Sequence, residues 1–314
     1  MRKNIYQVIR THIPPYQSIN FSVKERRVLE SLPGINYRMG EDDELEYPII
    51  LLSNSHTDFN RLKFDFDKIK LVIHSNSGHE NISPDLVKAD KFPIISGNPI
   101  RAHAVASYIS SCIFEYFCKI PNHVYWNRSR FWNRDAISKK NMLLIGYGHI
   151  GTLIEKIFTP LVKSISIYDP YKNHHKLTPE KGDIVVVAAS LNSSSYHLLD
   201  ESFLNSLPED FLLINIARGQ LIDQKTLLNI LRKNIKAYAY LDVFEKEPFS
   251  DDEFKGIVNI KTTSHIAGVY NILDDDIIDF NRKVLLGFLT LGPRFKKEYH
   301  HLLLKNRLQN GILI

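Results

Sequence analysis

Six consecutive residues limit the fold of this chain more than any others. Gly146-Tyr147-Gly148-His149-Ile150-Gly151 follow an apolar run at 142–145 without a break and lead straight into a segment that suits a helix. In a strand-to-helix turn, Gly146 admits the tight bend, Gly148 lets the backbone approach a pyrophosphate, and Gly151 permits close helix packing. The helix N-terminus then offers amide donors and a positive dipole end. A second apolar run, 164–168, ends at Asp169, about 20 residues past the last glycine. A carboxylate there can accept hydrogen bonds from ribose hydroxyls. Strand, turn, helix, strand and acid together predict a dinucleotide site. The acid also repels a ribose phosphate, which favours NAD over NADP, although Lys172, His174, His175 and Lys176 stand close enough to soften that preference.

The rest of the chain must supply a sheet around this turn. At 314 residues, a typical size of about 150 residues per domain gives two domains. Upstream, short apolar runs at 5–9, 21–32, 47–52, 71–74 and 92–95 predict a small α/β domain. Gly97-Asn98-Pro99 is expected to break the chain ahead of a helix over 101–118, and a polar, aromatic connection spans 121–140. Downstream, a helix over 154–162 and one over 226–233 alternate with strands at 164–168, 183–188, 211–216, 237–241 and 257–262. That is the pattern of a parallel sheet with crossover helices. A final helix over 274–291 leads back toward the first domain. The fold class read from this pattern is α/β, with a Rossmann-type doubly wound parallel sheet domain at 99–268. A smaller α/β domain at 1–98 is rejoined by residues 269–314.

Several function classes are disfavoured. The formal charge is only +5. Its densest cluster, Arg294, Lys296, Lys297, Lys305 and Arg307 around His300 and His301, has only Glu298 to balance it and reads as a solvated helix face. The stretch from Trp126 to Arg134 mixes aromatic and basic residues but is isolated, so nucleic-acid binding is not expected. Met1-Arg2-Lys3 opens the chain without an uninterrupted apolar core behind it, and the most apolar stretch, 105–114, is shorter than the roughly 20 residues of a span. Export and membrane insertion are therefore not expected. Cys112 and Cys118, the only cysteines, fit a reducing cytoplasm, and no metal site is expected.

Three later phrases carry the chemistry: Asn215-Ile216-Ala217-Arg218-Gly219-Gln220-Leu221-Ile222-Asp223, Leu241-Asp242-Val243-Phe244-Glu245-Lys246-Glu247-Pro248, and Ser264-His265-Ile266-Ala267-Gly268. With the glycine turn and Tyr168-Asp169-Pro170-Tyr171, the chain resembles the D-isomer-specific 2-hydroxyacid dehydrogenases, most clearly from 142 to 268. The resemblance implies an NAD-dependent oxidoreductase of 2-hydroxy and 2-oxo acids, its smaller domain flavodoxin-like, with substrate held where the two domains close. It implies catalytic roles for Arg218, Glu247 and His265.

Those residue types suit the reaction. An imidazole titrating near neutrality can give or take the proton on the substrate oxygen, so His265 is the candidate acid/base. A carboxylate beside it, Glu247, favours the imidazolium and orients the ring. Arg218 can fork onto the substrate carboxylate, where a lysine point charge fits less well. By the same resemblance Ile216, Ala217, Arg218 and His265 run along the cofactor, Asp242 faces its nicotinamide side, and Ser190 lies on the loop at its edge. Asn76-Ser77-Gly78-His79 resembles the loop whose amides hold the substrate carboxylate, which assigns Ser77 and Gly78. Departures touch the cofactor side: Ser190 replaces a usual proline, Ser107 a usual glutamate, and His149 a common arginine. The resemblance also implies a homodimer through the Rossmann domain, with the helix over 101–118 as an interface element. The competing reading is an NAD(H)-sensing, corepressor-like protein with little turnover.

Overall fold

Uninterrupted Ile, Leu and Val runs have no polar face to turn toward water, so they become central strands covered on both sides. The computed structural model describes residues 5–40, 47–63, 65–121 and 125–314. Met1-Arg2-Lys3 and part of the 121–140 connection lie outside those residues. The chain forms two units, residues 1–101 with 269–314, and residues 102–268.

In the first unit, β1 (Tyr6–Arg10), β2 (Ile35–Met39), β3 (Ile49–Ser53), β4 (Ile69–His74) and β5 (Ile94–Ser96) form a sheet in the order β2-β1-β3-β4-β5. Every neighbouring pair is parallel. This is the flavodoxin-like winding, whose switch point lies between β1 and β3. β3 is buried at all five positions. Residues 21–32, read only as an apolar run, fold mainly as helix α1 (Phe21–Leu29), and α2 (Pro84–Ala89) starts from a Ser83 cap whose oxygen accepts the Asp85 amide. β2 escapes the sequence reading because its Asn, Tyr and Arg suit a half-exposed edge.

The helix expected over 101–118 begins earlier, as α3 (Asn98–Cys118). Pro99 stands in its first turn, where a missing N–H costs nothing, rather than breaking the chain. The first boundary between units falls at 101/102, inside α3, not at 98/99.

The second unit holds a six-stranded parallel sheet of β6 (Asn141–Ile145), β7 (Ser164–Tyr168), β8 (Ile184–Val187), β9 (Leu212–Asn215), β10 (Tyr238–Leu241) and β11 (Ile260–Thr262), ordered β11-β10-β9-β8-β6-β7. On β6, Leu143 and Ile145 join one apolar cluster while Met142 and Leu144 join the other, so both faces are covered. Helices α4 (His149–Phe158), α5 (Glu201–Asn205) and α6 (Gln224–Lys233) connect the strands. α4 starts five residues before the predicted 154, directly at the glycine turn. The strand order, not the strand direction, reverses between β6 and β8, and in open α/β sheets ligands gather at the carboxyl ends beside such a switch point.

The last long helix, α7 (Leu273–Leu291), belongs to the first unit. The basic segment after it is better balanced than the sequence implied, because Asp90 pairs with Lys305 at 2.5 Å and Lys296 at 3.5 Å. Helix α3, the expected interface element, buries Val105, Ile109, Ile113 and Phe117 in the core of the second unit and leaves Phe114 exposed. Beyond its end, Tyr125, Trp126 and Phe131 are exposed as well.

Candidate active site

Gly146 adopts φ +95°, and a Cβ there would lie 2.5 Å from the Ala189 nitrogen. Only glycine satisfies both the left-handed backbone and the contact. A Cβ on Gly151 would stand 2.3 Å from the Gly146 carbonyl oxygen, so helix and turn meet through bare backbone. At Gly148 no described atom lies within 4 Å of the Cβ position, and no side chain caps α4. The N-terminus of α4, at His149 and Ile150, therefore offers the helix-end amides that suit a pyrophosphate.

Asp169 sits at the end of β7, as expected, and also shapes the turn. Its Oδ2 accepts the Tyr147 amide at 2.8 Å and its Oδ1 the Tyr171 amide at 3.1 Å. A carboxylate offers about four acceptor positions, so capping and ribose binding are compatible. The Tyr147 hydroxyl donates to Glu155 and its ring meets His174 edge-on, with centroids 5.2 Å apart. Ser190 follows Ala188 and Ala189, the residues that crowd Gly146, and its carbonyl accepts the Ser195 hydroxyl at 2.8 Å.

Arg218 is positioned from below. Asn215, at the end of β9, accepts the Ala217 amide at 3.1 Å and donates to the Arg218 carbonyl at 2.9 Å. Gly219 then packs against the Phe244–Glu245 backbone, where a Cβ would fall 1.8 Å from the Phe244 carbonyl carbon. That contact brings the second phrase beside the first. Glu247 Oε1 accepts the Phe244 amide at 3.1 Å, and Glu247 Oε2 lies 2.9 Å from His265 Nδ1. Burial raises the Glu247 carboxyl, but the His265 hydrogen bond and charge, the Phe244 amide and Arg218 outweigh it and leave it below the ordinary carboxylate value. With Nδ1 engaged, Nε2 has no partner among the described residues, and the His265 side chain is 49% exposed. Arg218, Glu247 and His265 thus come together at the carboxyl ends of one sheet.

Asp242 departs from expectation. Its side chain is only 1% exposed and turned into the protein. Oδ1 accepts the Thr263 hydroxyl at 2.6 Å and the Ile266 amide at 2.8 Å, and Oδ2 accepts the Ala267 amide at 2.8 Å. Its carbonyl takes the His265 amide at 2.8 Å. Asp242 therefore holds the loop in which His265 adopts φ +57°, a conformation that persists only when surroundings impose it. Tyr108, on α3, extends this support through a 2.6 Å bond to Thr263. Sequence reading missed Tyr108, Thr263 and Asn215. Only Asn215, a polar residue ending an apolar strand, left a local signal.

In the first unit, the loop bearing Ser77 and Gly78 follows β4. His74, fully buried, is pushed by desolvation down to about 4 and is neutral at neutral pH. Its Nε2 lies 2.7 Å from the Gly78 carbonyl and its Nδ1 3.1 Å from the Ser53 hydroxyl. The carbonyl can only accept, so Nε2 carries the proton. Among the described residues, the amides of Asn76, Ser77 and Gly78 meet no acceptor. Successive free amides of this kind form anion-binding concavities.

Residues 113–267 match the family model for the D-isomer specific 2-hydroxyacid dehydrogenase NAD binding domain. The erythronate-4-phosphate dehydrogenase of Wigglesworthia glossinidia brevipalpis is 28% identical over 230 residues, 69% of this chain and 57% of that protein. The chain thus spans less than two thirds of that relative's length. The glyoxylate reductase of Pyrococcus horikoshii is 30% identical over 179 residues, 51% of this chain and 53% of that one. In fold, the D-lactate dehydrogenase of Aquifex aeolicus complexed with NAD and lactic acid matches with a TM-score of 0.68 at 16% identity, covering 93% of this chain and 98% of that one.

Proposed function

Because the chain belongs, through residues 113–267, to the D-isomer specific 2-hydroxyacid dehydrogenase family, we propose that it is an NAD-dependent oxidoreductase interconverting a D-2-hydroxy acid and its 2-oxo acid. One observation carries the reading: His265 Nδ1 lies 2.9 Å from Glu247 Oε2, in a site that also contains Arg218.

Bound NAD(H) supplies or receives the hydride. Gly146, Gly148 and the first-turn amides at His149–Gly151 hold its pyrophosphate, and Asp169 its ribose. Ser190, Ile216 and Ala217 line the nicotinamide side, while Asp242 serves by holding the His265 loop. In reduction, His265 Nε2 gives its proton to the carbonyl oxygen, and in oxidation it takes that proton back. Glu247 keeps the ring aimed and stabilises its charged form. Arg218 forks onto the substrate carboxylate and polarises the adjacent carbonyl. Substrate binding is assigned to Ser77 and Gly78 as well, on the unengaged amides of their loop. The free thiols Cys112 and Cys118 fit a cytoplasmic protein, and the second unit is the proposed homodimer contact.

The test mixes purified protein with NADH, and separately NADPH, across small and phosphorylated 2-oxo acids. The phosphorylated compounds are included because erythronate-4-phosphate dehydrogenases are among its relatives. Loss of reduced-nicotinamide absorbance with one compound establishes the reaction. Tight NADH binding without turnover on any of them favours the sensor reading instead.

A further inference from the structure

The loop from Ser75 to His79 is tied to helix α7 by a chain of buried polar groups. Arg10 on β1 and Glu25 on α1 form an ion pair with Nε to Oε2 at 2.9 Å and a second contact between Nη2 and Oε1. The Tyr37 hydroxyl donates to Glu25 Oε2 at 2.7 Å, and Asn281 Nδ2 donates to Glu25 Oε1 at 2.9 Å. Asn281 Oδ1 then accepts the Ser75 hydroxyl at 2.9 Å. Each of the five residues is at most 2% exposed.

Charge fixes the direction of this chain. An ionised Glu25 only accepts, so the Asn281 amide must turn its NH2 toward Glu25 and its oxygen toward Ser75. Ser75 is held at its remaining polar atoms too, its amide by the Ser53 carbonyl at 3.1 Å and its carbonyl by Arg101 Nη1 at 2.8 Å. Gly97 passes so near that a Cβ there would lie 2.6 Å from the Ser75 carbonyl carbon. Stability alone gives little reason for such a chain, since well-packed apolar residues often replace a buried ion pair without loss. Direction is what apolar residues cannot supply.

We propose that Asn281 is a positioning residue that, through Ser75, sets where the Asn76, Ser77 and Gly78 amides point. The proposal rests on the reading of this loop as the holder of the substrate carboxylate. Asn281→Ala and Ser75→Ala test it, the second leaving the Arg10–Glu25–Asn281 contacts intact should the first fail to fold. Hydrogen exchange at the residue 75 amide, the one in this loop that the Ser53 carbonyl holds, should rise about tenfold in both, with peptides from β1 and β4 unchanged. The KM for the 2-oxo acid should rise about tenfold, with kcat and the NADH dissociation constant held, as misplacement of a binding group predicts. Unchanged loop exchange in folded Ser75→Ala overturns the positioning role. If the wild type turns over none of the oxo acids, the functional reading fails, and the exchange result still decides whether Asn281 positions the loop.

Discussion

At the scale of single residues, His265 unites an unusual backbone with an ordinary side chain. Its φ of +57° is imposed by Asp242, and its ring is aimed by Glu247. Replacing His265 by Ala removes the proton donor and leaves the glycine turn untouched. Turnover should therefore fall about 10²- to 10⁴-fold with NADH affinity unchanged, as fluorescence titration would read. Glu247 gives a pH prediction. Its carboxyl is held below the ordinary value, so its contribution to folding is present above that value and lost as pH falls through the lower, folded one. Oxo acid reduction needs a proton on Nε2, and the carboxylate at Nδ1 fixes where that nitrogen points. In Glu247→Gln kcat should fall with the NADH dissociation constant held, and an unchanged kcat would remove Glu247 from its role. The three catalytic candidates were legible because each sits in a phrase of local sequence. Thr263 and Tyr108 were not, because their bonds to the site join residues far apart along the chain.

At the scale of elements, backbone contacts and one buried ring govern the outcome. A Cβ on Gly219 would collide with the Phe244–Glu245 backbone at 1.8 Å, and neither segment is a flexible side-chain end that could move aside. Gly219→Ala should cost about 3 kcal/mol or more by overpacking and separate Arg218 from Glu247, which urea unfolding and kcat would both register. His74 acts on the loop after β4. Its ring titrates near 4 in the folded chain against about 6.5 unfolded. Between those values the unfolded chain binds the extra proton, so stability is full above about 6.5 and declines as pH falls toward 4, by about 3 kcal/mol in all. Unfolding free energies at pH 7 and pH 4.5 should differ by less in His74→Gln than in the wild type. The glycine turn was readable because its demands fall within six residues. The capping of Asp169, the anchoring of Asp242 and the burial of His74 depend on packing partners that no local pattern names.

At the scale of the whole molecule, alternating apolar runs were enough to foresee two α/β units, since buried parallel strands need little beyond continuous hydrophobicity. The polar edge strand β2 and the true start of α3 were lost because an edge and a first helical turn both tolerate residues that otherwise signal loops. The apolar face of α3 fills the core of the second unit, whereas Tyr125, Trp126 and Phe131 are 80%, 85% and 83% exposed. Arg130 stacks on Trp126 at 5.0 Å and Arg134 on Trp132 at 4.2 Å, so each indole has its own cation. Large exposed aromatic groups of this kind mark interaction surfaces, and such residues are enriched at protein interfaces. If the second unit mediates a homodimer here, the wild type at micromolar concentration should sediment at twice the mass of the chain. Phe131→Glu, which would bury a charge in that contact, should sediment as the single chain with NADH binding intact. A wild type that is monomeric at that concentration, or a Phe131→Glu variant that remains dimeric, would remove this surface from the assembly.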